Sequence, residues 1–240
     1  VFMSSFSSWG PTDDGRIKPD ISAKGVNMLS STGTSNNAYG NSSGTSMSSP
    51  NVSGSLILLQ QHYNNLNQEY MLASTLRALT LHTADEAGNN PGPDYRFGWG
   101  LMNSERAAAL ISDDTDHSMI ITQTLDANDV YTYTFKADGT EDIAATIAWT
   151  DPAASLLPGG NNDLATPRLM NDLDLRISRD GGLTYFPWIL DVAAPSAGAT
   201  TGDNAVDNVE KIEIPEPIAG DYIVRVSHKG QMLTNDSQVF

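Results

Sequence analysis

The sequence predicts an α/β region over residues 1–113 followed by an all-β, antiparallel sandwich over 114–240. Three observations carry this. Apolar residues recur at helical spacing between about residue 45 and residue 111. An acidic string, Ser112-Asp113-Asp114-Thr115-Asp116, then marks a boundary. Beyond it the period changes to two, with turn residues between the segments and no helical pattern.

Residues 1–40 read as short strand pieces separated by turn chemistry. Gly10-Pro11 and Asp13-Asp14-Gly15 are turn signals, and Ile17, Ile21 and Val26 are isolated apolar anchors. A loop rich in Gly, Ser and Asn follows, and Gly44-Thr45-Ser46-Met47-Ser48-Ser49-Pro50 closes it. The apolar run 52–59 predicts a buried helix reaching Asn64 or Asn65, with Pro50 in its first turn, where a missing N–H costs nothing. A second helix over residues 69–81 sets Leu72, Leu76 and Leu79 on one face. Gly98-Trp99-Gly100 makes a tight turn, and Asn103 caps a third helix over 103–111.

In the second region Val130, Thr132 and Thr134 alternate with Tyr131, Tyr133 and Phe135. Ile143, Ala145, Ile147 and Trp149 share a face, as do Leu173, Leu175 and Ile177, and Tyr222, Val224, Val226 and His228. Asp138-Gly139 and Asp180-Gly181-Gly182 read as hairpin turns. The polar insert 152–170 reads as an exposed loop, and residues 237–240 as the start of a further strand.

Composition narrows the function. Thirteen Lys plus Arg stand against 29 Asp plus Glu, a formal charge of −16. That sign argues against nucleic acid as a partner. No apolar run approaches the ~18 residues of a membrane span. With no cysteine, a disulfide scaffold and a thiolate metal site are excluded. Val1 reads as mid-domain sequence, so any targeting segment is expected upstream.

The heptad around Ser46 carries the chemistry. Gly44 admits a sharp turn and a close substrate approach. Ser46 then stands where unpaired helix N–H groups favour a developing negative charge, half of an oxyanion hole. The heptad resembles the nucleophile motif of the subtilisin-like serine proteases, with Ser46 at the position of the catalytic serine. Phe6-Ser7-Ser8-Trp9-Gly10-Pro11, Lys18-Pro19-Asp20-Ile21-Ser22-Ala23-Lys24-Gly25 and Phe97-Gly98-Trp99-Gly100-Leu101-Met102-Asn103 resemble other segments of that family, in the same order. Lys24 departs from it, since the family usually has proline there. The resemblance covers residues 4–111 and implies the C-terminal part of a three-layer catalytic domain, a polypeptide substrate and a secreted, extracellular setting.

A serine hydroxyl needs a base within reach. His62 lies sixteen positions after Ser46 on the same helix, roughly 24 Å away at ~1.5 Å per residue. His82, His117 and His228 read as structural. No segment resembles the family's His or Asp motifs or its oxyanion asparagine, all of which precede the serine in subtilases. The chain is therefore expected to be inactive alone and to need the N-terminal part of the same protease. Asp20 reads as structural.

Asp172 and Asp174 project from one strand face, opposite Leu173 and Leu175. Such a pair is either an ordinary solvated face or a site for a hard cation, to which Asp151, Asn171, Asp191, Asp207 or Asn208 could contribute. Trp149-Thr150-Asp151, Asn171-Asp172-Leu173-Asp174-Leu175 and Asp207-Asn208-Val209-Glu210 resemble the jelly-roll-like sandwich of a subset of secreted bacterial subtilases. That resemblance implies structural calcium but no ligand list; the residues themselves make Asp172, Asp174 and Asp151 the candidate ligands. An α/β-hydrolase is disfavoured because Ser48 stands where Gly-x-Ser-x-Gly needs glycine. The other functional class is a non-catalytic binding or assembly module.

Overall fold

The computed structural model describes residues 1–114, 118–155, 165–179, 182–230 and 237–240. His117, Asp116, Asp180, Gly181 and part of the 152–170 insert lie outside them. The first half holds a hairpin, β1 (Met28–Ser31) with β2 (Tyr39–Ser42), then helices α1 (Thr45–Asn67), α2 (Ala73–His82) and α3 (Ser104–Ser112). Among the described residues every strand pairing of the second half is antiparallel. Its strands are β3 (Thr124–Asp126), β4 (Val130–Ala137), β5 (Ile143–Ala148), β6 (Leu173–Arg179), β7 (Leu183–Tyr185), β8 (Trp188–Ile189), β9 (Thr200–Thr201), β10 (Val209–Ile214), β11 (Gly220–His228) and β12 (Ser237–Val239).

One sheet has the order β4-β11-β6-β7, and β5–β10, β3–β12 and β8–β9 pair separately. The period-two faces fall where the alternation puts them. Leu173, Leu175, Ile177, Tyr222 and Val226 of the four-stranded sheet share a core with Ile143, Ile147, Ile212 and Ile214 of the β5–β10 pair. Two sheets thus bury their apolar faces in common, the arrangement by which a half-apolar sheet leaves water. The Asp138-Gly139 turn is not a hairpin. β4 pairs with β11 and β5 with β10, so the turn joins two sheets. Asp138 Oδ1 accepts from the Thr140 N–H at 2.8 Å, a local Asx turn that forms whichever strands flank it.

A second core crosses the boundary predicted near residue 113. Ile17, Leu81, Tyr95 and Trp99 from the first half pack with Ala148 and Val209 from the second. Polar contacts reinforce this seam. The Ile17 N–H donates to Asp207 Oδ1 at 2.8 Å, and the Tyr95 hydroxyl donates to the Gly15 carbonyl beside it. Arg77 on α2 donates to Asn208 Oδ1 at 2.7 Å and to Asp20 Oδ1 at 2.5 Å. A third core gathers Leu59 of α1 with Met71, Leu79, Ala107 and Ile111.

Helix α1 departs from expectation at both ends and along one face. It runs to Asn67, where Gln68 takes a left-handed conformation, φ 61°, and its N–H closes onto the Asn64 carbonyl. Its first residue is Thr45, which sets Pro50 in the second turn. There the missing N–H does have a cost, because it withholds the bond that the Ser46 carbonyl would accept. The run 52–59 is not buried as a whole: Leu59 is, but Ile57 and Leu58 are 69% and 70% exposed. On α2, Leu79 is buried, while Leu72 is the exposed residue preceding the helix.

Candidate active site

Ser46 is the second residue of α1 and is exposed. The N–H groups of Met47 and Ser48 turn back onto the Gly44 carbonyl at 3.0 and 3.3 Å. The Ser46 N–H is among the helix's unpaired terminal donors, available to a ligand oxygen.

A strap made of residues 20–25 holds this end in place, and its bonds explain why separate motif segments act together. The Gly44 N–H donates to the Gly25 carbonyl at 2.9 Å, and the Ser48 hydroxyl to the Ala23 carbonyl at 2.9 Å. Asn51, half-buried within α1, donates to the Lys24 carbonyl. Gly25 permits this approach, since a Cβ there would lie 2.8 Å from the Gly44 oxygen and 3.0 Å from Ser48 Cβ. At the strap's other edge the Ser22 N–H donates to the Gly100 carbonyl, and the Met102 N–H to the Ser22 carbonyl. Gly98, at φ +68°, passes so close to the Pro19 and Asp20 carbonyls that a side chain would collide with them. Lys18 and Arg77 both pair with Asp20. These pairs hold its carboxyl below the usual range against the opposing effect of burial. The Gly-Trp-Gly turn, the 20–25 strap and the serine loop are therefore one assembly, braced by Arg77 against the β-rich half. The role of the strap could not be read from spacing, because its partners lie far along the chain.

No described histidine hydrogen-bonds to Ser46. The His62 Nε2 pairs with the Ser112 hydroxyl at 2.8 Å, tying α1 to α3. His82 is half-buried against β5 with Nδ1 at 3.0 Å from Thr146 Oγ1. Burial, aided by Lys211, pushes its pKa down to about 4. His228 Nδ1 lies 3.2 Å from the Gly230 carbonyl. The third helix begins as its cap predicts: Asn103 Oδ1 accepts from the Arg106 N–H at 2.9 Å.

The three candidate metal ligands do not gather as a cage. Asp151 is committed to the backbone, accepting from the Met170 and Asn171 N–H groups at 2.8 Å each, which closes the base of the long insert. Asp172 and Asp174 sit instead with Lys229 and Arg176. Of the supporting residues, Asp207 accepts from Ile17, Asp191 from the Ala193 N–H, and Asn208 bridges Arg77 and the Trp149 carbonyl. Among the described residues no three Asp, Glu, His or Cys side chains are placed to hold a metal ion. As arranged, the residues do not fit a calcium ion.

Burial raises the Asp172 and Asp174 pKa values, with Lys229 and Arg176 opposing the rise. Burial pushes the Glu210 carboxyl, wholly enclosed behind them, up to about 9. One of its oxygens accepts from the Leu175 N–H at 2.5 Å. β7 covers β6 only from residue 177 onward, so the glutamate takes the place of a neighbouring strand there.

Residues 2–100 match the model of the subtilase family. A 61-residue stretch is 57% identical to the C5a peptidase of Streptococcus pyogenes serotype M1, covering 25% of this chain and 5% of that protein. The PII-type proteinase of Lactococcus lactis subsp. cremoris is 48% identical over 116 residues, 46% of this chain and 6% of the relative. The serine protease/ABC transporter B family protein tagA of Dictyostelium discoideum is 25% identical over 270 residues, 98% of this chain and 15% of that protein. The chain thus spans only 5% to 15% of the length of these relatives. The similarity to the subtilase family thus extends over residues 2–100, the part that holds Ser46.

Proposed function

We propose that Ser46 is the nucleophile of a subtilisin-like serine endopeptidase. Its hydroxyl attacks the carbonyl carbon of a peptide bond and gives its proton to a histidine. The tetrahedral oxygen is stabilised by the Ser46 N–H and by an asparagine side chain. The amine departs with that proton, and water then releases the acyl group from Ser46. One observation carries the reading: an exposed serine at the start of a 23-residue helix, strapped in place within the subtilase-matching segment.

The histidine, its orienting aspartate and the oxyanion asparagine are supplied, on this reading, by the N-terminal part of the same protease. The 240-residue chain alone is then inactive. The exposed apolar side chains of Ile57 and Leu58, neighbours on α1, support this as the surface which that part would cover. We read the β-rich half as a jelly-roll-like sandwich, supported by two sheets sharing one core, and place the protein outside the cell, as the family resemblance implies. Among the described residues no helix is long and apolar enough to cross a membrane.

A fluorophosphonate probe tests the assignment. Labelling of Ser46 is expected when a subtilase segment carrying the upstream Asp, His and Asn is supplied, and none for Ser46→Ala. A bound but unlabelled mixture would instead favour a non-catalytic binding module. Robust peptide hydrolysis by the chain alone, lost in Ser46→Ala, would overturn the division of the site.

A further inference from the structure

Lys229 stands at the centre of three carboxylates. It follows β11 directly, and the pairing of His228 with Leu173 brings it beside Asp172, whose carbonyl accepts its N–H at 2.8 Å. Its Nζ lies 3.2 Å from Asp172 Oδ2, 3.3 Å from Asp174 Oδ1 and 2.7 Å from Asp203 Oδ1. Two of these carboxylates come from the start of β6. The third comes from the loop after β9. An ammonium offers three N–H donors, one for each of them.

Arg176 adds a second cation. Its Nη2 is 2.6 Å from both Asp174 Oδ1 and Asp203 Oδ1, its Nη1 is 3.7 Å from Glu210 Oε2, and the Phe186 ring lies against its guanidinium. Without these cations the carboxylates would repel one another in a half-buried setting, where solvent screens poorly. A counter-ion is needed, and a divalent metal is one way to provide it. Calcium, however, takes six to eight oxygens at about 2.3–2.6 Å. A covalently attached ammonium already fills the position those oxygens face.

We infer that the Lys229 ammonium is a built-in cation that takes the place of a divalent metal, so that the β-rich half folds without calcium. A tethered cation does not dissociate, which frees this half from the ambient calcium concentration. Asp172 Oδ1 is buried with no hydrogen-bond partner among the described residues. The cluster therefore retains an unused acceptor, and removal of the ammonium would leave oxygens facing a gap. The inference is independent of the chemistry at Ser46.

The experiment compares thermal midpoints of the full chain in millimolar calcium and in chelator, for the native sequence and for Lys229→Met. The native midpoint is expected to be the same in both. Lys229→Met is expected to melt several degrees lower in chelator and to recover at least half of that loss in calcium. A native midpoint that rises with calcium would overturn the inference, as would a Lys229→Met chain that either loses nothing or recovers nothing. Calorimetric titration of the native chain with calcium stands apart from whether the variant folds. No saturable heat is expected, and saturable binding in the millimolar range or tighter would refute the substitution.

Discussion

The β-rich half and helix α1 bury their leucines in opposite ways. Leu173 and Leu175 are wholly enclosed between sheets that this chain itself supplies, while Ile57 and Leu58 on α1 face solvent. The strands cover one another within 240 residues, whereas α1 has one covered stripe, through Leu59, and one bare one. The serine at the start of this helix is tied to the strap at Gly25 through the Gly44 N–H and is itself exposed to solvent. The contrast sets the self-covered core in one half and the proposed nucleophile in the other, with Arg77 and the Ile17–Asp207 contact joining them.

The largest effect expected from this contrast is at Leu175. Leu175→Ala leaves a cavity between two sheets and should destabilise the chain by about 2–5 kcal/mol in urea unfolding. A loss under roughly 1 kcal/mol would mean that the common core of the two sheets is not the stabilising unit.

Next in size are two opposite pH dependences. Glu210, in the β-rich half, holds its proton more tightly when folded, with a pKa of about 9 against an ordinary value of 4.5. Its contribution is greatest below its ordinary value and is lost as pH rises from about 4.5 towards about 9. His82, at the seam between α2 and β5, behaves in reverse. Its folded pKa of about 4 lies below the ordinary 6.5, so the folded state binds the proton less well. Stability at the seam is present above 6.5 and falls as pH drops through that window. Urea midpoints measured across pH should therefore lose an alkaline slope in Glu210→Gln and an acid slope in His82→Gln. A Glu210→Gln chain with an unchanged alkaline limb would place that titration elsewhere.

Local chemistry was legible wherever it depended on neighbours in sequence. The helix start beside Ser46, the Asn103 cap and the inward faces of β4, β5, β6 and β11 follow from capping and period, which act over a few residues. What depended on distant partners was not. Asp138-Gly139 has the composition of a hairpin turn, but composition does not record that β4 chooses β11. Lys229 is an unremarkable residue at a strand end until the β6–β11 register sets it beside Asp172. Apolar residues 52–59 announce a buried helix, yet period says nothing about which chain segment buries it. The core shared across residue 113 was hidden for the same reason, because Ile17 and Val209 meet only in three dimensions.

The smallest effect expected in the chain alone is at Leu58, and it sharpens the comparison most. Leu58→Ala removes exposed apolar surface from a helix and replaces leucine with an equally good helix former, so stability should change by no more than about 0.5 kcal/mol. If the bare stripe of α1 is the docking face for the upstream part of the protease, the same substitution should weaken that association by roughly tenfold, about 1.4 kcal/mol. Leu58 would then be silent in unfolding and audible in binding, the inverse of Leu175. A Leu58→Ala chain that binds the upstream part as tightly as the native one would show that the stripe is ordinary exposed surface, and that any partner reaches Ser46 from another side.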